Sequence, residues 1–136
     1  MRYLAVIHKD PDSDYGVTVP DLPGCFSAGS TMDEVLEMTR EAILCHVEGL
    51  LADDEPIPQP LPMEVHQQNP DYKDGVFMLI EVDPSEISGE VRRINITMPE
   101  RILARLDKYV AVNGGNRSAV LTEAAFNLTM KEGQEV

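Results

Sequence analysis

The sequence predicts an α+β protein in two unequal units, an N-terminal βββαβ arrangement and a C-terminal βαα segment too small to close a core alone. Three observations predict it. Apolar runs of strand length open the chain and recur near residue 80. A long helical stripe led by a capping box follows residue 31. Charge divides the chain: residues 1–90 carry 19 Asp and Glu against 4 Lys and Arg, net −15, whereas residues 91–136 carry 5 against 7, net +2.

Arg2–His8 (RYLAVIH) reads as a strand, Lys9–Asp14 as a turn and Tyr15–Val19 as the returning strand of a hairpin. Pro20, Pro23 and Gly24 then interrupt regular structure, and Cys25–Gly29 supplies a third short strand. Thr31 to Glu34 spells a capping box, in which hydroxyl and carboxylate satisfy the orphan N–H groups of a helix start. The helix is expected to run to about Leu51, with Met32, Leu36, Ile43, Val47 and Leu50 covering one face of the sheet. Five prolines between Asp53 and Gly75 favour an extended connection over a packed element. Val76–Val82 (VFMLIEV) lacks alternation, which predicts a central strand buried on both faces. The expected divisions are therefore 1–83, a polar hinge at 84–90, a second unit at 91–131 and a tail at 132–136.

In the second unit Arg92–Met98 alternates, with Ile94, Ile96 and Met98 on one face and Arg93, Asn95 and Thr97 on the other. Pro99 stands at a first helical position, and Ile102, Leu103, Leu106 and Val110 form a stripe that ends near Asn113, Gly114 and Gly115. Asn116 caps a second helix with Val120, Leu121, Ala124, Ala125 and Leu128 as its apolar face, before the polar run Lys131–Val136. A lone strand leaves its hydrogen-bonding edge open, so the segment is expected to pair with a second copy of itself.

The stretch RRINITMPERILARLDKYVAVNGGNRSAVLTEAA resembles the ribbon-helix-helix transcription factors from end to end. That resemblance implies a paired ribbon in the DNA major groove, with Arg93, Asn95 and Thr97 facing the bases. Their chemistry suits the place: Arg matches guanine, Asn the adenine edge, and Thr an acceptor or a thymine methyl. The resemblance also implies a phosphate clamp at Asn116, Arg117 and Ser118, where a helix N-terminus offers free amides. The plainer reading makes the strand a dimerisation element and these side chains a solvated face. Arg101, Arg105 and Lys108 are read as such a face and are not assigned to the site.

The opening MRYLAVI with Tyr15–Thr31 (YGVTVPDLPGCFSAGST) resembles the HicB family, in which a hairpin, a DLPGC-like turn and a long helix form a truncated RNase H-like sheet. The two resemblances together imply an antitoxin that binds a HicA-like mRNA-cleaving toxin and represses its own operon at a palindromic operator. They also imply a homodimer or tetramer assembled through the C-terminal unit, with the N-terminal unit as a second candidate interface. An acidic unit at −15 would attract the basic surface of an RNA-binding toxin, although such charge also serves solubility. Asp21, Leu22, Pro23, Gly24 and Cys25 stand as candidate toxin-facing residues, or as a rigid turn forced by Pro23 and Gly24. Two other function classes stay open: a stand-alone ribbon-helix-helix repressor whose acidic unit senses a ligand or partner, and a pure protein inhibitor without DNA affinity.

No enzyme is expected. The first strand has no acid between Tyr3 and Ile7, where nucleases of RNase H type carry an Asp, and Asp10, Asp12 and Asp14 lie in a turn without a calcium-loop Glu. His8, His46 and His66 share no ligand spacing, and neither Ser nor Cys sits in a nucleophile motif, so no metal or cofactor is expected. No apolar run approaches the roughly 20 residues of a membrane helix, and Cys25 and Cys45 fit reduced thiols in a cytoplasmic protein.

Overall fold

The apolar N-terminal runs form β1 (Arg2–Lys9), β2 (Tyr15–Thr18), β3 (Phe26–Gly29) and β4 (Val76–Glu81), joined in one antiparallel sheet of order β3-β2-β1-β4. The computed structural model describes residues 1–132, the last two as backbone alone, so the expected tail from 133 onward lies outside the described residues. The β1–β2 register sets Val6 opposite Thr18 and Lys9 opposite Tyr15. The turn between them is fastened where Ser13 N–H donates to the Asp10 carbonyl at 3.2 Å.

β1, not β4, is the strand buried on both faces: Tyr3, Ala5 and Ile7 belong to the main core, while Leu4 and Val6 are buried on the reverse side. β4 is an edge strand, which corrects the expectation of a central one. Its continuous apolar run is explained by one buried residue, Ile80, and by Val76 and Leu79, which stay 60% and 57% exposed.

Helix α1 (Met32–Ala52) crosses the Tyr3 face of the sheet. Thr31 Oγ1 accepts the Glu34 N–H at 3.2 Å, but the Glu34 carboxylate accepts from Ser30 Oγ at 2.9 Å, so half of the expected capping box forms. The buried stripe is Val35, Thr39, Ile43 and Val47, stepping by four residues, with Met32 and Leu50 at its borders. Leu36, expected within it, is 40% exposed. A close approach fixes this phase: a Cβ on Gly29 would stand 2.8 Å from the Val35 nitrogen.

The proline-rich connection is packed, contrary to expectation. It carries helix α2 (Met63–Gln67) and a 3-10 turn at Pro70–Tyr72, and it buries Ile57 and His66. Prolines exclude sheet and long helix there, but they leave room for short turns that deliver single side chains to the core.

Residues 91–98 run extended, and among the described residues no strand pairs with them, so the strand expected at 92–98 does not form within one chain; the Pro99 carbonyl, by contrast, already accepts the Ile102 and Leu103 N–H groups at 3.0 Å. Helices α3 (Glu100–Asn113) and α4 (Arg117–Glu132) follow. Pro99 is the residue before α3, not its first. Gly114 and Gly115 take φ of 84° and 87°, a region closed to most side chains, and Asn116 Oδ1 caps α4 by accepting the Ala119 N–H at 2.8 Å. α3 buries no residue.

α4 instead reaches the N-terminal core, where Phe126 and Met130 pack and the Tyr3 hydroxyl points at Met130 Sδ, 4.0 Å away. The stretch 84–90 is likewise held against α1: Arg40 pairs with Glu86, and the Ser88 N–H donates to Glu48 Oε1 at 2.8 Å.

The phase of α1 predicts that Ile43→Ala lowers the unfolding free energy by about 2–5 kcal/mol, while Leu36→Ala costs less than about 1 kcal/mol. Equal losses in urea denaturation would overturn the stripe described.

Candidate functional site

Two regions carry the side chains that sequence reasoning singled out. In the first, Arg93 and the apolar Ile94 and Ile96 lie along α4 and form a groove of about 650 Å³ with Arg117, Ser118 and Leu121. Arg93, Asn95 and Thr97 are all exposed, and Ile94 and Ile96 are 76% and 60% exposed, so both faces of the extended segment stand open in one chain.

The start of α4 supplies the rest. Asn116 spends its side chain on the cap, and Ser118 lines the groove. Arg117 forms a two-pronged pair with Asp107 of α3, Nε to Oδ1 at 2.7 Å and Nη2 to Oδ2 at 2.8 Å. The hydrogen bond and charge of Arg117 hold the Asp107 carboxyl below the usual carboxylate range. Arg117 thereby ties α3 to α4 and is not a free cation, a role that its position in the sequence does not reveal. The tie is lost as pH falls through that lowered value, since a protonated Asp107 no longer attracts the guanidinium.

The second region is the Asp21–Cys25 turn. Asp21, Leu22 and Cys25 are buried, while Pro23 and Gly24 remain at the surface, Gly24 with φ of 87°. The turn is closed by its own backbone, with Cys25 N–H donating to the Leu22 carbonyl at 2.9 Å. Burial pushes the Cys25 thiol up to about 11, which keeps it protonated and unreactive. Burial, with the nearby Asp21 charge, also pushes the Tyr3 phenol up to about 12.

Asp21 has a partner that spacing could not supply. Its Oδ1 accepts the Leu61 N–H at 2.9 Å and the His66 Nε2–H at 2.8 Å, so one carboxylate oxygen fastens the connection to the turn. Residues 45 positions apart share no periodicity. A signal existed only in composition: an acid and a histidine, each set among prolines.

Among the described residues no three His, Cys, Asp or Glu side chains gather as a metal site, and no helix is long and apolar enough to cross a membrane.

Comparison with known proteins adds the following. The family of HicB-like antitoxins of bacterial toxin-antitoxin systems matches residues 3–125. An uncharacterised 14.9 kDa protein of Haemophilus phage HP1, from its rep-hol intergenic region, is 42% identical over 93% of this chain and 96% of its own. The crystal structure of the Burkholderia pseudomallei antitoxin HicB superposes with a TM-score of 0.79 at 40% identity, covering 92% of this chain and 96% of that one. A chain of the HicA3 and HicB3 toxin-antitoxin complex is similar over 62% of this chain and 100% of its own, at 30% identity and a TM-score of 0.54.

The Asp21–His66 contact predicts that Asp21→Ala destabilises the fold by roughly 1–3 kcal/mol, because the buried His66 ring and the part-buried Leu61 N–H lose their acceptor. In a double-mutant cycle with His66→Ala the two losses should be non-additive by at least about 0.5 kcal/mol. Strict additivity in chemical denaturation would show that the contact contributes nothing.

Proposed function

The chain belongs to the HicB-like antitoxin family of bacterial toxin-antitoxin systems, and from that premise we propose that it neutralises a HicA-like mRNA-cleaving toxin by direct binding and represses its own operon at a palindromic operator. One observation carries the DNA-binding half. Among the described residues no strand pairs with the extended stretch 91–97, which is exposed on both faces, beside two helices of which α3 has no fully buried residue. Such a segment is completed by a second copy, strand against strand, with the isoleucines turned to the four helices and Arg93, Asn95 and Thr97 turned outward. In this reading the C-terminal unit is a ribbon-helix-helix fold and the N-terminal unit a truncated RNase H-like one.

A two-stranded ribbon has the width of the major groove, and these three side chains match its donor and acceptor pattern. The amides at Asn116, Arg117 and Ser118 clamp a phosphate at the positive end of α4, with the guanidinium of Arg117 steadying the helix pair through Asp107. The toxin-binding half draws on the acidity of residues 1–90, which complements a basic RNA-binding surface, and on the HicA3 and HicB3 complex among the relatives. Within the Asp21–Cys25 turn, Pro23 and Gly24 are the residues left at the surface to meet it.

Titrating the purified chain with DNA from upstream of its own operon tests the ribbon. Arg93→Ala and Asn95→Ala should each cost about 1–3 kcal/mol at a palindromic site and little on unrelated duplex, with the melting temperature unchanged. Wild-type affinity in both variants would reduce the segment to a dimerisation element.

A further inference from the structure

β4 bonds to β1 on one side, and among the described residues no strand lies along its other side. Proteins ordinarily blunt such an edge with charge, proline or a bulge, yet this one presents VFMLI, with Val76 and Leu79 more than half exposed. The phase of the ladder can be worked out. The Val82 N–H donates to the Met1 carbonyl at 2.8 Å and the Met1 amine donates to the Val82 carbonyl at 2.9 Å, so these two residues are a hydrogen-bonded pair. Antiparallel ladders alternate, and Tyr3 opposite Ile80 and Ala5 opposite Met78 follow as the next bonded pairs. The backbone groups of Phe77, Leu79 and Glu81 therefore point outward, away from β1.

The surroundings state what fits there. A groove between this edge and α1 is lined by Leu36, Leu79 and Ile80 together with three acids, Asp33, Glu37 and Glu81, and one cation, Arg40. The nearby cations are engaged, Arg40 with Glu37 and Glu86, and Arg2 with Glu81 at 2.8 Å. Residues 73–90 hold one cation, Lys73, against five acids, so pairing β4 with the β4 of a second copy would set acid against acid. An apolar strand flanked by Lys or Arg meets the groove without that cost.

We propose that the free edge of β4 receives an edge strand of a basic partner, which extends the sheet to five strands through the outward groups of Phe77, Leu79 and Glu81. The partner is the toxin of the preceding section, and the inference rests on that reading.

The test uses the full chain and the toxin encoded beside it. Leu79→Lys adds a repelling charge at an exposed position. Leu79→Pro removes an outward amide that bonds to nothing inside the sheet, a place where edge strands tolerate proline. Each should weaken toxin binding by at least about tenfold, the weight of one or two lost main-chain hydrogen bonds, while thermal melting of Leu79→Lys stays native. In the unmutated chain, hydrogen exchange at Phe77, Leu79 and Glu81 should slow on toxin binding. If the native chain binds toxin, Leu79→Lys binds it equally and those amides stay unprotected, the edge is not the docking site, although toxin binding itself stands. If sedimentation of the chain alone shows that Leu79→Lys lowers its mass, a second copy occupies the edge and the inference fails. If the native chain does not bind the toxin, both readings fall.

Discussion

The antiparallel pairing of β1 with β4 is the constraint on which the N-terminal unit depends. It joins residues 69 to 79 positions apart, from Ile7 with Val76 to Arg2 with Glu81, and places β1 at the centre, where Tyr3, Ala5 and Ile7 meet α1 while Leu4 and Val6 fill the reverse side. A contact of that span carries a large loop-closure cost, and the chain offsets it by tying down the loop. Asp21 is the tie. A single buried oxygen takes up both the Leu61 N–H and the His66 ring, so the connection returns β4 to β1 along a fixed path. Ile57 adds an apolar anchor beside α1.

The second unit is built on the opposite principle. α3 has no buried residue, 91–99 has no strand partner among the described residues, and Arg117 with Asp107 supplies a polar fastening in place of a core. α4 serves both units, because Phe126 and Met130 lie on the N-terminal core while Leu121 lines the groove beside Ile94 and Ile96. A second copy at the ribbon would therefore be attached to the N-terminal sheet through a packed helix, and the docked stretch 84–90 adds to that stiffness. Orientation between the units is set by side-chain packing, not by linker length.

Charge is divided along the chain. The excess of acid lies before residue 90, and the small excess of base follows it. On the proposed reading, such an arrangement would keep phosphate away from the sheet and attract basic protein to it, so that two partners of opposite charge could be held without competing for one surface. Both candidate surfaces share one physical feature: an extended backbone whose hydrogen bonds one chain cannot complete.

Much of this was legible in the residues. Apolar runs bounded by turn residues located β1 and β2, and alternation the extended 92–98 segment; Thr31 fixed the start of α1; Gly114, Gly115 and Asn116 fixed the break between α3 and α4. These are local signals, read from period, capping chemistry and backbone permission. Three matters were decided by contacts between distant parts of the chain. β4 became an edge because β1 took the centre, and an apolar run has the same composition in either place. The stripe on α1 settled on Val35 and Thr39 because Gly29 lets β3 press against that turn. The Asp21 side chain, in a turn read as toxin-facing or merely rigid, met His66, and that of Arg117, at a helix start read as a phosphate clamp, met Asp107, since a charged side chain pairs with whatever the fold brings near and no spacing records that encounter.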